Sequence, residues 1–373
     1  MKIGAIIAEY NPLHNGHYVQ IQKLKTICDA VIIILSSTIV QRGEFAIFDK
    51  WTRTKAALTC GADLVLEMPV IFSCASAEKF AHGALKIVKE LNCVHTLSFG
   101  SELGKIDKLQ KLAKICQTID KTPKMKHTLK QGYSYPKARS IAVGNKSAEI
   151  LKHPNNTLAV EYIKASLNLN LKINFHTIKR LTTINETKIK NSAFIRLHIT
   201  QTEKYVPQKT WQIYKYAEII KFPANFLFLS LKLKTLENFK QLPDVTEGLE
   251  NRLFKASKSA TNINEFFQLA KTKRYTMSRL KRIAIYALLN FDKNKLTTLP
   301  TYTRILGFNN TGRKIISKIK KNTNFLISSN FKTIFKNFKY SATIDATATD
   351  IAFASTKTTK PCGSDFREKP IIF

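Results

Sequence analysis

The sequence predicts an α/β protein, a Rossmann-like doubly wound parallel sheet followed by a mainly helical domain. Three observations carry this. Apolar strand-like runs alternate with amphipathic helical patterns over the first hundred residues, at the spacing of β-α-β units. The first run leads into the turn Tyr10-Asn-Pro-Leu-His-Asn-Gly-His17, which has the form of a phosphate-binding strand-to-helix junction. From about Glu203 to Tyr340, Leu, Phe and Ile recur at three- and four-residue spacings with Lys or Arg between them.

In chain order, the first strand is Ile3–Ala8, which ends at Glu9, and Pro12 stops its continuation. A helix over His17–Ile27 follows, with Tyr18, Ile21, Leu24 and Ile27 on its apolar face. Strands are predicted at Ala30–Leu35, Asp63–Leu66 and Val94–Ser98, separated by helices over Phe48–Leu58 and Ala75–Leu91. A helix over Ile106–Ile119, another around Thr157–Leu167 and a strand over Leu171–Ile178 continue the first unit. The expected division is residues 1–200 as a nucleotide-binding unit, 201–340 as a basic helical unit and 341–373 as an extended tail rich in Thr, Ala and Pro.

The turn is the richest candidate site. Backbone N–H groups at a helix start point toward a bound anion, and Gly16 leaves room for one to approach. His14 and His17, three apart, can both donate to phosphate oxygens. They could instead cap the helix or hold a metal, but no third His, Cys or carboxylate stands at a spacing that completes a zinc site, so no metal is expected. In a doubly wound sheet the ligand lies outside the carboxyl ends of the strands, which brings Gly100 to the same place unless it is a plain turn glycine. Asn155 and Asn156 could bond an adenosine edge or ribose, or cap the next helix. Arg180 closes the strand Leu171–Ile178 as a cation at that edge of the sheet. Arg42, Lys50 and Arg53 stand where a loop could reach a polyphosphate or an RNA backbone, or where a helix start simply carries solvated charge.

Composition narrows the partner. The formal net charge of +34 is unevenly spread: the first hundred residues hold 10 basic and 8 acidic residues, and the remaining 273 hold 50 and 18. A cation confined to one part of the chain suits a polyanion, nucleic acid in preference to a membrane surface. The densest basic run, Lys271–Arg282, supplies Lys273, Arg274, Arg279, Lys281 and Arg282 with Tyr275 interleaved, a candidate phosphate-tracking element. Six scattered cysteines with no C-x-x-C pair point to reduced thiols, and no apolar run reaches the roughly 18 residues of a membrane span. A cytoplasmic protein is expected.

The ordered blocks Gly4–His17, Val40-Gln-Arg-Gly-Glu44, Phe48-Asp-Lys-Trp-Thr-Arg53, Gly61–Pro69, Leu97–Glu102, Ser134–Arg139, Pro154-Asn-Asn156, Glu247–Arg252 and Thr272–Thr276 resemble the bacterial tRNA(Met) cytidine acetate ligases. In the tail, Ala348-Thr-Asp350 and Asp365-Phe366 also fit; Leu13 replaces the family's more usual Phe, Ser37-Thr38 stands where Gly-Asn is usual, and the tail diverges locally. The resemblance implies a fold of the HxGH nucleotidyltransferase type and a two-step reaction. ATP and acetate give acetyl-adenylate and pyrophosphate, and the acetyl group then passes to the exocyclic amine of the wobble cytidine of elongator tRNA(Met). It implies an ATP site made of Ile7, Ala8, Glu9, Tyr10, Asn11, Pro12, Leu13, His14, Asn15, Gly16, His17, Tyr18, Val19 and Gln20, with Gly100, Asn155 or Asn156, and Arg180. Mg²⁺ on the triphosphate is expected from the chemistry. The other readings kept open are a small-molecule adenylyltransferase and a non-catalytic RNA-binding protein. Lys255-Ala-Ser-Lys-Ser259 looks like the signature loop of class I aminoacyl-tRNA synthetases, but it reads as part of a continuous helix.

Overall fold

The run Ile3–Ala8 forms the strand β1, and its alternating side chains feed two cores. Ile3 and Ala5 pack on one face with the helices Ala77–Leu91 and Pro154–Asn168, and Ile6 and Ala8 on the other with α1 (Asn15–Lys25) and α2 (Lys50–Thr59). Gly4 lets α1 lie directly on the strand, since a Cβ there would stand 2.8 Å from the Leu24 side chain. The computed structural model describes residues 1–180, 183–184, 187–188, 190–201 and 203–373.

The remaining strands are β2 (Ala30–Ser36), β3 (Ile39–Val40), β4 (Glu44–Phe45), β5 (Leu64–Met68), β6 (Thr96–Ser101), β7 (Asn174–Lys179), β8 (Thr183–Ile184), β9 (Thr187–Lys188), β10 (Tyr302–Phe308), β11 (Leu326–Ser328) and β12 (Ile371–Ile372). The large sheet runs β11-β10-β5-β2-β1-β6-β7, with β12 also paired to β10. The pairings β5-β2-β1-β6-β7 are parallel, in register Ile3↔Ala30 and Gly4↔Thr96, which is the doubly wound arrangement the sequence predicts. The strand expected to begin at Asp63 begins one residue later because the Asp63 side chain is committed as an acceptor, from Val31 N at 2.8 Å and from Asn309 Nδ2 at 2.9 Å.

Two expectations need correcting. Residues 302–308, read as part of a helical stretch, form β10, which pairs antiparallel with β5. All but one of its residues are buried, and a run buried on both faces has no alternation to mark it as a strand. The tail read as extended contains the helix Lys339–Ala354, whose buried Ala342, Asp345, Ala348, Thr349 and Ala352 follow helical spacing. Between Ala224 and Leu288, helices Ala224–Lys232, Leu249–Ser259, Ile263–Ala270 and Met277–Leu288 do follow the expected pattern, and Lys255–Ser259 lies inside one of them.

A buried polar cluster fastens the tail to the carboxyl edge of the sheet. Lys50 Nζ lies 2.7 Å from Glu67 Oε1 and 2.6 Å from Asp365 Oδ1, and Arg304 pairs with Asp365. Tyr302 Oη donates to Asp345 Oδ2 at 2.5 Å, while Val70 N donates to Oδ1 at 2.7 Å. Burial, with Glu67 nearby, pushes Asp345 up to about 7. Lys50 and Arg53 are therefore removed from the candidates for phosphate or RNA contact. Both are fully buried, and Arg53 donates to the carbonyls of Phe48, Glu9, Ser36 and Ser37. Of the three, only Arg42 is exposed.

Candidate nucleotide and RNA site

The turn after β1 is held from three directions. Tyr10 takes φ +45, in the left-handed region, and the Asn11-Pro12 peptide bond is cis. Asn11 Oδ1 accepts from Ile47 N at 2.8 Å, and its carbonyl accepts from Arg196 at 2.8 Å. Leu13 N donates to Tyr214 Oη at 3.0 Å, and the Tyr214 ring stacks on Phe48 with centroids 4.4 Å apart. Tyr10, Asn11, Pro12 and Leu13 are buried, so they set the course of the loop and leave its outer face to the residues that follow.

His14 is the N-cap of α1, which begins two residues earlier than the sequence suggests. Its Nδ1 accepts from Gly16 N at 3.1 Å, and its backbone N–H donates to His17 Nδ1 at 3.3 Å. The two rings stack, with centroids 3.8 Å apart. An imidazole whose Nδ1 accepts a hydrogen bond carries its proton on Nε2 when neutral. Burial, followed by the charge of Arg180, lowers His14 to about 4, and burial with His14 and Arg180 holds His17 well below its ordinary value. At neutral pH the pair is thus two uncharged Nε2–H donors at a helix start, where the dipole favours an anion. They cap the helix through Nδ1, and neither Nε2 has a partner among the described residues.

The flank is built from the ends of β6 and β7 and the start of the helix Pro154–Asn168. Gly100 pairs with Ile178, and a Cβ on it would meet nothing closer than 4.0 Å. Glu102, which sequence reasoning passed over, organises the rest. It accepts from Asn155 Nδ2 at 2.7 Å and from Asn156 N at 3.0 Å, and lies 4.0 Å from Arg180. Asn156 is buried and its amide is spent on Leu103 N and Ile150 O, which removes it as a ligand contact. The Asn155 amide oxygen has no partner among the described residues, and Arg180 is exposed. Gln20 ties α1 to β6 through the Ser98 carbonyl. Ile7 and Val19 are half-buried. Tyr18 and Asn15 line a separate cleft of about 370 Å³ with Gln22, Gly61 and Gln208. Among the described residues, no group of three or more His, Cys, Asp or Glu is placed to hold a metal ion.

The basic run divides in two. Lys273 is exposed, with its ammonium 3.8 Å from the centroid of the Tyr133 ring, and half-buried Arg274 pairs with Glu247 at 3.1 Å. Lys281 pairs with Glu44 at 2.6 Å, and Arg279 donates to the Asp244 carbonyl. Arg282 is corrected from a surface cation to an interior one, 6% exposed and facing Asp244 at 3.6 Å. Its position on the helix Met277–Leu288 turns it inward with Leu280 and Ile283.

The chain matches the family model described as HIGH Nucleotidyl Transferase over residues 1–365. It is 39% identical over 395 residues to the tRNA(Met) cytidine acetate ligase of Thermoanaerobacter sp. (strain X514), covering 98% of both chains. It is 35% identical over 406 residues to that of Clostridium perfringens, covering 100% of both. The chain belongs to the tRNA(Met) cytidine acetate ligase family. Thermotoga maritima TmcAL bound with alpha-thio ATP is similar in structure, with a TM-score of 0.91, 29% identity, and coverage of 100% of this chain and 99% of that one. The apo form of the same protein gives a TM-score of 0.90.

Three residues that shape the site in this tRNA(Met) cytidine acetate ligase family member escaped the sequence reading. Glu102 stood inside a recognised block but offered no charge partner in sequence. Arg196 and Tyr214 lie 185 and 201 positions from the groups they hold, a separation at which no local pattern can point to the turn.

Proposed function

We propose that this chain is an ATP-dependent ligase that forms acetyl-adenylate from ATP and acetate. It then transfers the acetyl group to the exocyclic amine of the wobble cytidine of elongator tRNA(Met). Membership of the family supports the activity, and one observation carries the chemistry: two neutral imidazoles with open Nε2–H donors at the start of α1, beside the exposed Arg180.

In the first step an acetate oxygen attacks the α-phosphorus and pyrophosphate leaves, so negative charge grows on the phosphate oxygens. Fixed donors aimed at that charge lower the barrier, and the Nε2–H groups of His14 and His17 would supply them, the Gly16 N–H being spent on His14 Nδ1. Being neutral, the imidazoles donate without titrating near pH 7. Arg180 and Asn155 would hold the rest of the nucleotide. Mg²⁺ would travel with the triphosphate, as the chemistry of phosphoryl substrates favours. The basic surface of residues 201–340, with Lys273 and Arg274, would grip the tRNA backbone in the cytoplasm, and no helix of the described residues is long and apolar enough to cross a membrane.

Incubation with labelled acetate, ATP and total tRNA tests this. Label in tRNA, recovered as acetylated cytidine by mass spectrometry, is the expected result. Adenylate without labelled tRNA would instead indicate a small-molecule adenylyltransferase, and tRNA binding without adenylate a non-catalytic binder.

A further inference from the structure

Glu9 is a carboxylate in a place built for phosphate. It follows β1 directly, five residues before His14, and an anion beside a triphosphate is repelled unless it serves the other substrate. Its Oε1 accepts from Gln41 N at 2.9 Å, while Oε2 has no partner among the described residues and is not sealed from solvent. The charges of Arg42, Arg53 and Arg196 act on it, and Tyr162 and Cys74 also interact with it electrostatically.

The loop that holds Glu9 also reaches the basic helix. Gly43, two residues after Gln41, takes φ +75 and packs so tightly on Met277–Leu288 that a Cβ would stand 2.5 Å from Arg282 N. Next to it, Glu44 accepts from Lys281 at 2.6 Å and lies 3.6 Å from Arg196, which donates to the nucleotide turn at Asn11. Glu9 therefore sits at the seam between the phosphate turn and the basic region, where a bound base would meet the adenylate. Cytosine presents an N4 amino donor there, and a carboxylate is its natural acceptor.

Building on the ligase reading above, we propose that Glu9 recognises the cytosine N4 amine and takes its proton during acetyl transfer. The N4 lone pair attacks the acetyl carbonyl carbon and forms the C–N bond. The acyl C–O bond to the phosphate breaks, AMP leaves with that electron pair, and the amine proton passes to the Glu9 carboxylate. Burial raises the pKa of Glu9 above the ordinary carboxylate value, despite Gln41 and the arginines, which favours proton uptake.

The test is Glu9→Gln, which keeps an oxygen for Gln41 N–H. Transfer is measured from chemically made acetyl-adenylate to elongator tRNA(Met), and adenylate formation separately by acetate-dependent ATP–pyrophosphate exchange. The expected result is a fall of about 10²-fold or more in single-turnover transfer, at least about tenfold larger than the fall in exchange, as for loss of a general base. The parent transfer rate should also rise with pH through the carboxylate titration, and the variant should be flat there. Transfer within threefold of the parent, or equal losses in both steps, would overturn the role of Glu9 while leaving the ligase reading intact. A parent enzyme that transfers no acetyl group would overturn both.

Discussion

His14→Asn separates the two jobs of the first histidine. Asn is a favoured N-cap, and its Oδ1 can replace Nδ1 as the acceptor for Gly16 N, but it has no donor where Nε2–H stands. The cap survives and the phosphate donor is lost. Acetate-dependent ATP–pyrophosphate exchange should fall by about 10²- to 10³-fold, the usual cost of one oxyanion donor. Stability gives a second signature. The unfolded imidazole takes up a proton as pH falls through 6.5, whereas the folded one resists until about 4. Stability from this residue is therefore complete above 6.5 and drains away as pH falls from 6.5 toward 4. At about 1.4 kcal/mol per pH unit, the loss is on the order of 3 kcal/mol. His14→Asn should lack this part of the acid sensitivity, as read by urea denaturation at pH 7 and pH 4.5. Full exchange activity in the variant would refute the donor role. A parent rate that climbs as pH drops through 6.5 would refute the neutral-imidazole argument, because it would make the cation the working form.

Arg180→Ala should raise the KM for ATP and, by removing a nearby positive charge, let His14 titrate at a higher pH; an NMR titration that leaves His14 unmoved would break the link. Lys50→Met leaves Glu67 without its cation in the interior and Asp365 with Arg304 alone, so unfolding free energy should drop by about 3–5 kcal/mol. A change below about 1 kcal/mol in a denaturant titration would mean the carboxylates manage without the ammonium. Lys273→Ala should weaken tRNA binding and reduce the salt slope by about 1. Arg282→Ala should leave that slope alone and lower thermal stability, and the reverse pattern would place the RNA surface elsewhere.

The nucleotide half of the molecule was legible because its signals are local. Strand-length apolar runs, Pro12 and the His-Asn-Gly-His junction each act over a few residues, and the structure places β1 where the pattern does. What escaped is long-range. Nothing in Tyr302–Phe308 announces that it will pair with Leu64–Met68, more than 230 positions earlier. Charge misled for a related reason: Lys50, Arg53 and Arg282 look in sequence like surface cations, yet each has its partners on a distant segment. Asn155 and Asn156 show the limit most sharply, since adjacent identical residues differ only in what the fold puts next to them.

The hold of Arg196 and Tyr214 on the turn also bears on how the protein is made. The His pair leaves the ribosome about 200 residues ahead of the side chain that fixes Leu13, so strand and helix can form long before the turn between them is set. A nascent or prematurely ended chain stopping short of Tyr214 carries the signature motif without its brace. The geometry of the turn is thus completed late in synthesis, only once Tyr214 has joined the fold.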